Sequence, residues 1–274
     1  MGLSLIVAAL TWVQAANENV DRRLKDADPA VSMHRFINYP AGARWDTFVH
    51  NPKFWAKGVD FSCASPWNSM SGAVRAGTLI SKRHIIFADH FPLADGTRIV
   101  FVGEDGGVCP CYVEKTKRVE QTDMRIGLLN AEVTPNIRPA KILPEDFGKY
   151  LGEGVGLPVA TFNQKEKLFL TEAVRIHSPT NGYPRRGIFS NVSKDEHRAK
   201  FREPLVKGDS GNPAFFLLGD QAVLACCLTS GRTGAGPAPH MWQKEIQAVM
   251  DELCPGYKLE LFSEWRSVNG LSGK

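Results

Sequence analysis

Residues 207–213 (KGDSGNP) place a serine between two glycines and next to an aspartate, directly before the apolar run 214–218. A serine hydroxyl becomes a nucleophile when a neighbouring base takes its proton. Glycine has no Cβ, so the main chain can turn tightly and aim N–H groups at an oxygen that gains negative charge. The same residue types also build ordinary surface turns. Ser210 is therefore a candidate nucleophile whose partners must lie elsewhere in the chain.

A base and an orienting carboxylate for this serine can be sought among seven histidines and the upstream aspartates. His90 follows an apolar, strand-like segment that would hold its backbone in a sheet. Asp123 stands directly before a second such segment, residues 124–129. His84 lies six residues before His90, and we expect its side chain to project from a turn. The remaining histidines lie in polar or turn contexts and are interpreted as solvent-exposed: His34, His50, His177, His197 and His240.

Two orders of catalytic residues can be compared for a serine hydrolase. In the order serine, acid, histidine, the serine occupies a GxSxG turn between a strand and a helix. Here the second residue after Ser210 is Asn212, and the only later histidine is His240. No alternation of helices and strands precedes the serine, so this order does not fit. The order histidine, acid, serine fits His90, Asp123 and Ser210.

Three segments of the chain resemble, in the same order, the signature segments of trypsin-like (chymotrypsin-fold) serine proteases. They are residues 77–81 (GTLIS) leading to 88–90 (ADH), residues 123–129 (DMRIGLL) and residues 208–213 (GDSGNP). The resemblance spans about residues 59–254. It implies an all-β fold of two packed antiparallel β-barrels with a C-terminal helix. It also implies a serine endopeptidase that hydrolyses peptide bonds through an acyl-enzyme.

The resemblance assigns a role to each matching position. His90 would be the general base, Asp123 its orienting carboxylate and Ser210 the nucleophile. The N–H groups of Gly208 and Ser210 would form the oxyanion hole. Substrate-binding positions would be Pro204 at the floor of the primary pocket and Thr229, Ser230 and Gly231 on a strand edge that pairs with an extended substrate. No aspartate stands at the pocket floor, so a preference for Arg or Lys is not expected.

The sequence departs from the family's pattern beside the histidine and at the serine. Asp89 and Phe91 flank His90 where the family usually has alanine and cysteine, and we expect the Asp89 carboxylate to point to solvent. Asn212 replaces a common glycine. In the family the aspartate before the serine often binds a new N-terminal amine, but no matching IVGG start is present, so Asp209 is not expected to do so. Asp89, the missing cysteine and an aromatic stretch at residues 33–55 leave an alternative, a catalytically weak or inert homologue that acts as a protein-binding module.

Short apolar segments separated by turn signals must position these residues. Strands are predicted at residues 73–80, 84–88, 97–103, 108–114 and 125–129, and, after a proline-bearing connector at 135–144, at 154–161, 167–176, 187–192, 214–218 and 221–228. Residues 95–96 and 104–107 predict hairpin turns. Helical spacing is clear only for Trp242, Ile246, Val249, Met250 and Leu253. We therefore expect barrel one at about 59–135, barrel two at about 150–235 and a helix at 240–254.

The chain begins with an apolar run, residues 3–13, that is too short to span a bilayer. The run is typical of a signal peptide, residues 1–15, with cleavage after Ala15, and a buried N-terminal helix is the alternative. Residues 16–58 then form an aromatic N-terminal extension, residues 59–254 the protease domain and residues 255–274 a tail. We expect a secreted or periplasmic protein without a stable membrane span.

Charge and cysteine content limit the classes of partner and cofactor that we expect. The net charge of +4, from 33 basic and 29 acidic residues without a basic block, argues against nucleic acid. No second Cys/His pair stands at zinc-ligand spacing, so we expect no metal and no other cofactor. The spacing of the six cysteines does not favour internal disulfides, and reduced or partly paired thiols are expected. The expected partner is a protein or peptide substrate.

Overall fold

The structure, a computed structural model, describes residues 2–37, 48–66, 75–178, 187–229 and 234–265. It is mostly β, with a curled half-barrel sheet and a helix near the C-terminus. The strands of the described ranges form two sheets that share a core. Phe61 belongs to this core and packs against the second sheet, with its ring 5.2 Å from that of Phe162 and 5.5 Å from that of Phe215. The prediction of a β-rich fold with a C-terminal helix is confirmed at this level.

The first sheet has the strand order β1-β2-β5-β4-β3, and every neighbouring pair is antiparallel. Its strands are β1 Thr78–Leu79, β2 His84–Ala88, β3 Arg98–Val102, β4 Val108–Val119 and β5 Met124–Leu129. Branched and aromatic side chains suit β2 and β3 because both strands are buried almost throughout. The predicted hairpin joins β3 to β4, and Gly106 adopts a φ of +82° in its turn.

The second sheet has the order β12-β9-β8-β7-β10-β11-β6-β13. Its strands are β6 Lys141–Ile142, β7 Pro158–Phe162, β8 Leu168–Ser178, β9 Gly187–Asn191, β10 Pro213–Leu218, β11 Gln221–Cys227, β12 Ala235–Pro237 and β13 Glu260–Leu261. β6 pairs with β11 in parallel, and β13 pairs with β6 in parallel. The expected antiparallel pairing does not hold at this edge, because the connector and the tail each contribute a strand.

The described part of the chain contains the helices α1 Gly2–Leu24, α2 Pro29–Ser32, α3 Gly148–Leu151, α4 Glu196–Ala199 and α5 Gln243–Leu253, with a 3₁₀ turn at Pro239–Met241. Helix α5 buries the residues whose spacing predicted it: Ile246, Val249, Met250 and Leu253. The chain turns away soon after this helix, where Gly256 has a φ of +99°. The predicted C-terminal helix is confirmed.

Helix α1 runs without a break through Ala15, the expected cleavage position. One of its faces is buried against the second sheet and the core that the two sheets share, through side chains spaced four residues apart: Trp12, Ala16, Val20 and Leu24. The Arg198 guanidinium also donates to both carboxylate oxygens of Asp21, at 2.6 and 3.0 Å. This is the packing of a buried N-terminal helix, while the signal peptide stays a prediction. None of the helices in the described ranges combines the length and the apolar character that a membrane span requires.

The N-terminal extension packs against the sheets through its aromatic side chains. Four of them are buried: Phe36, Phe48, Phe54 and Trp55. The indole N–H of Trp55 donates to the carbonyl of Leu168 in β8 at 2.8 Å. Tyr39 and Trp45 lie outside the described residues. All six cysteines of the chain are described, and none of them forms a disulfide.

Candidate active site

His90 lies two residues beyond the end of β2 and is held by one carboxylate at two points. Its main-chain N–H donates to Asp123 Oδ1 at 2.9 Å, and its ring Nδ1 lies 2.6 Å from Asp123 Oδ2. A carboxylate oxygen only accepts hydrogen bonds, so Nδ1 carries the ring proton and Nε2 is left as an acceptor. The carboxylate therefore sets both the orientation and the tautomer of the imidazole.

Asp123 is buried at the turn between β4 and β5, with 6 % of its surface exposed. The Thr122 hydroxyl fastens this turn, since it donates to the carbonyl of Val119 at 2.7 Å and accepts the N–H of Met124 at 3.0 Å. The Arg118 guanidinium donates to the carbonyl of Thr122 at 2.9 and 3.1 Å. These bonds hold the carboxylate rigidly in front of His90.

Ser210 occupies the turn before β10, and its hydroxyl oxygen lies 2.9 Å from Nε2 of His90. Since Nε2 is the acceptor, the serine O–H donates to it. The structure thus brings Asp123, His90 and Ser210, which come from three distant segments, into one hydrogen-bonded chain. Transfer of the serine proton to a base requires this geometry.

Gly211 allows the Ser210 turn to approach the end of β2. Its φ is +87°, and a Cβ at this position would lie 3.2 Å from the carbonyl oxygen of Ala76 and 3.6 Å from the nitrogen of Ala88. A side chain here would have a strained backbone, and its Cβ would lie tightly against the carbonyl oxygen of Ala76. Glycine is therefore strongly favoured at this position.

Two main-chain N–H groups of the Ser210 turn, those of Gly208 and Ser210, are the expected oxyanion-hole donors. Gly208 has a φ of +104°, a conformation that favours glycine. Among the described residues, neither the N–H of Gly208 nor that of Ser210 has a hydrogen-bond partner. Both donors remain available to an oxygen of a bound substrate, as an oxyanion hole requires.

The carboxylate of Asp209 is buried inside this turn, with 3 % of the residue exposed. It accepts the main-chain N–H of Gln164 at 3.0 Å and that of Val206 at 2.7 Å. A buried carboxylate needs such partners to offset its lost hydration. Asn212 is also buried, and its amide donates to the carbonyl of Asp209 at 3.1 Å. The turn is thus held from inside by main-chain and amide groups.

Asp89 does not point to solvent, and that expectation is wrong. One carboxylate oxygen accepts from Arg125 Nε at 2.8 Å, and the other lies 3.3 Å from Arg118 Nε. Only 16 % of the Asp89 side chain is exposed. Two guanidinium groups neutralise the charge that stands next to His90 in sequence.

At the position expected to floor the primary pocket, Pro204 lies on an irregular, exposed segment between α4 and β10. The neighbouring carboxylate of Glu203 is bound in an ion pair to Lys167. Glu203 and Pro204 therefore contribute no unpaired acidic side chain. The expectation that the site lacks a preference for basic residues stays a prediction.

Thr229 follows β11, and its N–H donates to the carbonyl of Ala235 in β12 at 2.9 Å. This hydrogen bond links the end of β11 to β12. The segment expected to bind substrate, residues 229–231, lies between these two strands in the sequence. Ser230 and Gly231, the other two residues expected at this edge, lie outside the described residues.

Two histidines are buried contrary to expectation: His84, which was expected to project from a turn, and His240, which was interpreted as solvent-exposed. His84 is 0 % exposed, its Nδ1 lies 2.8 Å from the Ser81 hydroxyl, and burial lowers its pKa to about 4. His240 is 4 % exposed, and its ring packs edge-on against Phe147 at 4.9 Å. The local sequence does not indicate this burial, because residues that are distant in the sequence cover both rings.

Sequence reasoning missed three residues that support the candidate site: Gln164, Arg118 and Arg125. They are far from their partners in sequence or lie on ordinary strand segments, so no local signal marks them. In the described part of the chain, no cluster of three or more His, Cys, Asp and Glu side chains forms a metal site. No protein-family model matches this chain, and no curated protein matches it significantly.

Proposed function

We propose that the chain is a serine endopeptidase with Ser210 as its nucleophile. The observation that carries the proposal is the imidazole of His90, which bridges the Asp123 carboxylate at 2.6 Å and the Ser210 hydroxyl at 2.9 Å. A hydroxyl is a weak nucleophile until an oriented base accepts its proton. All three parts of that arrangement are within hydrogen-bond distance.

The reaction follows from these positions. Ser210 Oγ attacks the carbonyl carbon of the substrate while His90 Nε2 takes the hydroxyl proton, and Asp123 stabilises the resulting imidazolium. The N–H groups of Gly208 and Ser210 receive the carbonyl oxygen as it becomes negative. His90 then donates its proton to the leaving amine, and an acyl-enzyme remains. Water, deprotonated by His90, hydrolyses the acyl group and regenerates the serine.

We further infer the trypsin-like arrangement of two barrels, with the active site between them. The two sheets support this inference, because His90 and Asp123 follow and precede strands of the first sheet, whereas Ser210 precedes β10 of the second. An extended peptide would pair with the chain at Thr229, beside the exit of β11. Export from the cytoplasm belongs to the same proposal and rests on the apolar N-terminal run.

A fluorophosphonate probe tests the proposal, because it reacts with activated serine hydroxyls. We expect wild type to be labelled at Ser210, as read by mass spectrometry, and Ser210→Ala to remain unlabelled. Ser263→Ala, which changes an exposed serine in the tail, should label like wild type. Casein hydrolysis should be lost together with labelling. Equal labelling of wild type and Ser210→Ala would overturn the proposal, and a folded but unlabelled wild type would favour the inert binding module instead.

A further inference from the structure

Gln164 is attached to the Ser210 turn at two points. It lies two residues beyond the end of β7, and its main-chain N–H donates to Asp209 Oδ1 at 3.0 Å. Its side-chain Nε2 donates to the carbonyl oxygen of Lys207 at 3.1 Å. The two bonds join Gln164 to the residues on either side of Gly208, whose N–H belongs to the proposed oxyanion hole.

The carbonyl of Lys207 and the N–H of Gly208 belong to one peptide unit. That unit is planar and trans, so the two groups point in opposite directions. A hydrogen bond that holds the carbonyl therefore also holds the direction of the N–H. The Gln164 amide lies directly over Gly208, since a Cβ there would be 3.0 Å from Oε1 and 3.1 Å from Nε2.

The peptide unit needs an external partner because glycine does not hold it by itself. Gly208 has a φ of +104°, but glycine populates positive and negative φ about equally. If the unit rotated by half a turn, the Lys207 carbonyl would point to where the N–H now points. A substrate oxyanion would then meet an acceptor in place of a donor. Among the described residues, the amide of Gln164 is the only group that donates to this carbonyl.

We propose that Gln164 is a positioning residue that keeps the Gly208 N–H directed at the reacting carbonyl oxygen. The proposal rests on the proposed function, because the donor matters only if Ser210 forms a tetrahedral intermediate. The Gln164 side chain touches the turn and needs no contact with substrate. It acts through the Lys207–Gly208 peptide.

Hydrolysis of an activated aryl ester and of its matched thionoester tests this role. We expect Gln164→Met, which keeps the length of the side chain and removes the donor, to lower kcat for the oxygen ester about tenfold with KM little changed. Sulfur accepts hydrogen bonds weakly, so the thionoester rate depends less on the N–H donors. The preference for the oxygen ester over the thionoester should therefore shrink in Gln164→Met.

The matched control is Lys165→Ala, which changes the exposed neighbouring side chain and should behave like wild type. Gln164→Glu places an acceptor against the Lys207 carbonyl and should lose at least as much activity as Gln164→Met. The main-chain bond to Asp209 is kept in all variants, and unchanged thermal unfolding would confirm that they fold. Equal losses on both esters, or full activity in Gln164→Met, would overturn the positioning role alone. A wild type that neither labels nor hydrolyses either ester would instead overturn the proposed function.

Discussion

Asp89 and Asp123 are two carboxylates beside one histidine, and their partners separate their roles. Asp123 is bound to the main chain and ring of His90. Asp89 is bound to Arg125 and Arg118, on the strands next to it. The negative charge of Asp89 was one reason to consider a catalytically inert homologue. Two positively charged guanidinium groups balance this charge. We expect Asp89 to stabilise the turn before β5 without taking part in proton transfer.

The variant Asp89→Ala tests this division of roles. It leaves the Arg125 and Arg118 guanidinium groups without their shared partner, so we expect the free energy of unfolding to fall by about 1 kcal/mol. The kcat/KM for ester hydrolysis should stay near the wild-type value. Urea unfolding and steady-state kinetics measure the two effects, with Asp95→Ala at an exposed position as the control. A large loss of kcat/KM at unchanged stability would show that the Asp89 carboxylate acts on His90.

Strand β2 leads to His90 at its far end and buries His84 at its start. The Ser81 hydroxyl oxygen accepts the N–H of His84 at 3.0 Å and that of Arg83 at 3.2 Å, so its own proton is directed at His84 Nδ1. Protonation of Nδ1 would replace this acceptor by a second donor. Burial is the larger cause that keeps the ring neutral, with a pKa of about 4. We therefore expect this strand to be sensitive to acid at the end opposite the proposed triad.

Stability should depend on pH through His84. Its pKa is about 4 in the folded chain against 6.5 for the ordinary group. Between these values the unfolded chain binds a proton that the folded chain does not, so the free energy of unfolding falls as pH falls from about 6.5 to about 4. The loss is at most about 3 kcal/mol.

Urea unfolding across this pH range checks the expectation. His84→Asn keeps an acceptor near the Ser81 hydroxyl and has no titrating ring, so its stability should fall less steeply with acid than that of wild type. The comparison between the two chains removes the contributions of the other titrating groups. An identical pH slope in both chains would contradict the prediction.

At the scale of the whole molecule, helix α1 packs together with the described part of the C-terminal tail. The Trp12 ring in α1 meets the Trp265 ring of the tail at 5.2 Å, edge to face. Trp265 in turn stacks on Tyr150 in α3 at 4.3 Å and lies 4.7 Å from Phe262. Cleavage after Ala15 would remove Trp12 from this aromatic cluster, while the buried residues from Ala16 onward would stay.

Trp12→Ala measures how much this cluster contributes. Trp12 is 3 % exposed, and deletion of a buried tryptophan side chain is expected to lower the free energy of unfolding by about 3 kcal/mol. Ester hydrolysis well below the melting temperature should be unchanged, because the groups of the proposed triad lie on other elements. Val13→Ala, at a partly buried neighbouring position, should cost less. Wild-type stability in Trp12→Ala would contradict the prediction that this aromatic cluster stabilises the fold.

Local sequence was sufficient to predict most of the strands, the hairpin at Gly106 and the helix α5. It also nominated the three residues of the proposed triad, which the structure brings within hydrogen-bond distance of one another. Alternating or continuous apolar segments bounded by glycine predict the strands, because this pattern depends only on residues that are neighbours along the chain. The residue types of His90, Asp123 and Ser210, with their order and their positions next to strands, were enough to select them. The positive φ of Gly208 and Gly211 agrees with the turn that the glycines predicted.

Only the tertiary structure decided which residues support that site and which other polar groups are buried. The pairing of Asp89 with Arg118 and Arg125, the hold of Gln164 on Asp209 and Lys207, and the burial of His84 all join groups that local periodicity treats separately. The parallel strands β6 and β13 escaped prediction for the same reason, because two residues beside a distant strand carry no pattern of their own. The sequence identifies the side chains that can take part in chemistry. Hydrogen bonds and charge interactions across the fold determine which of them are positioned for it.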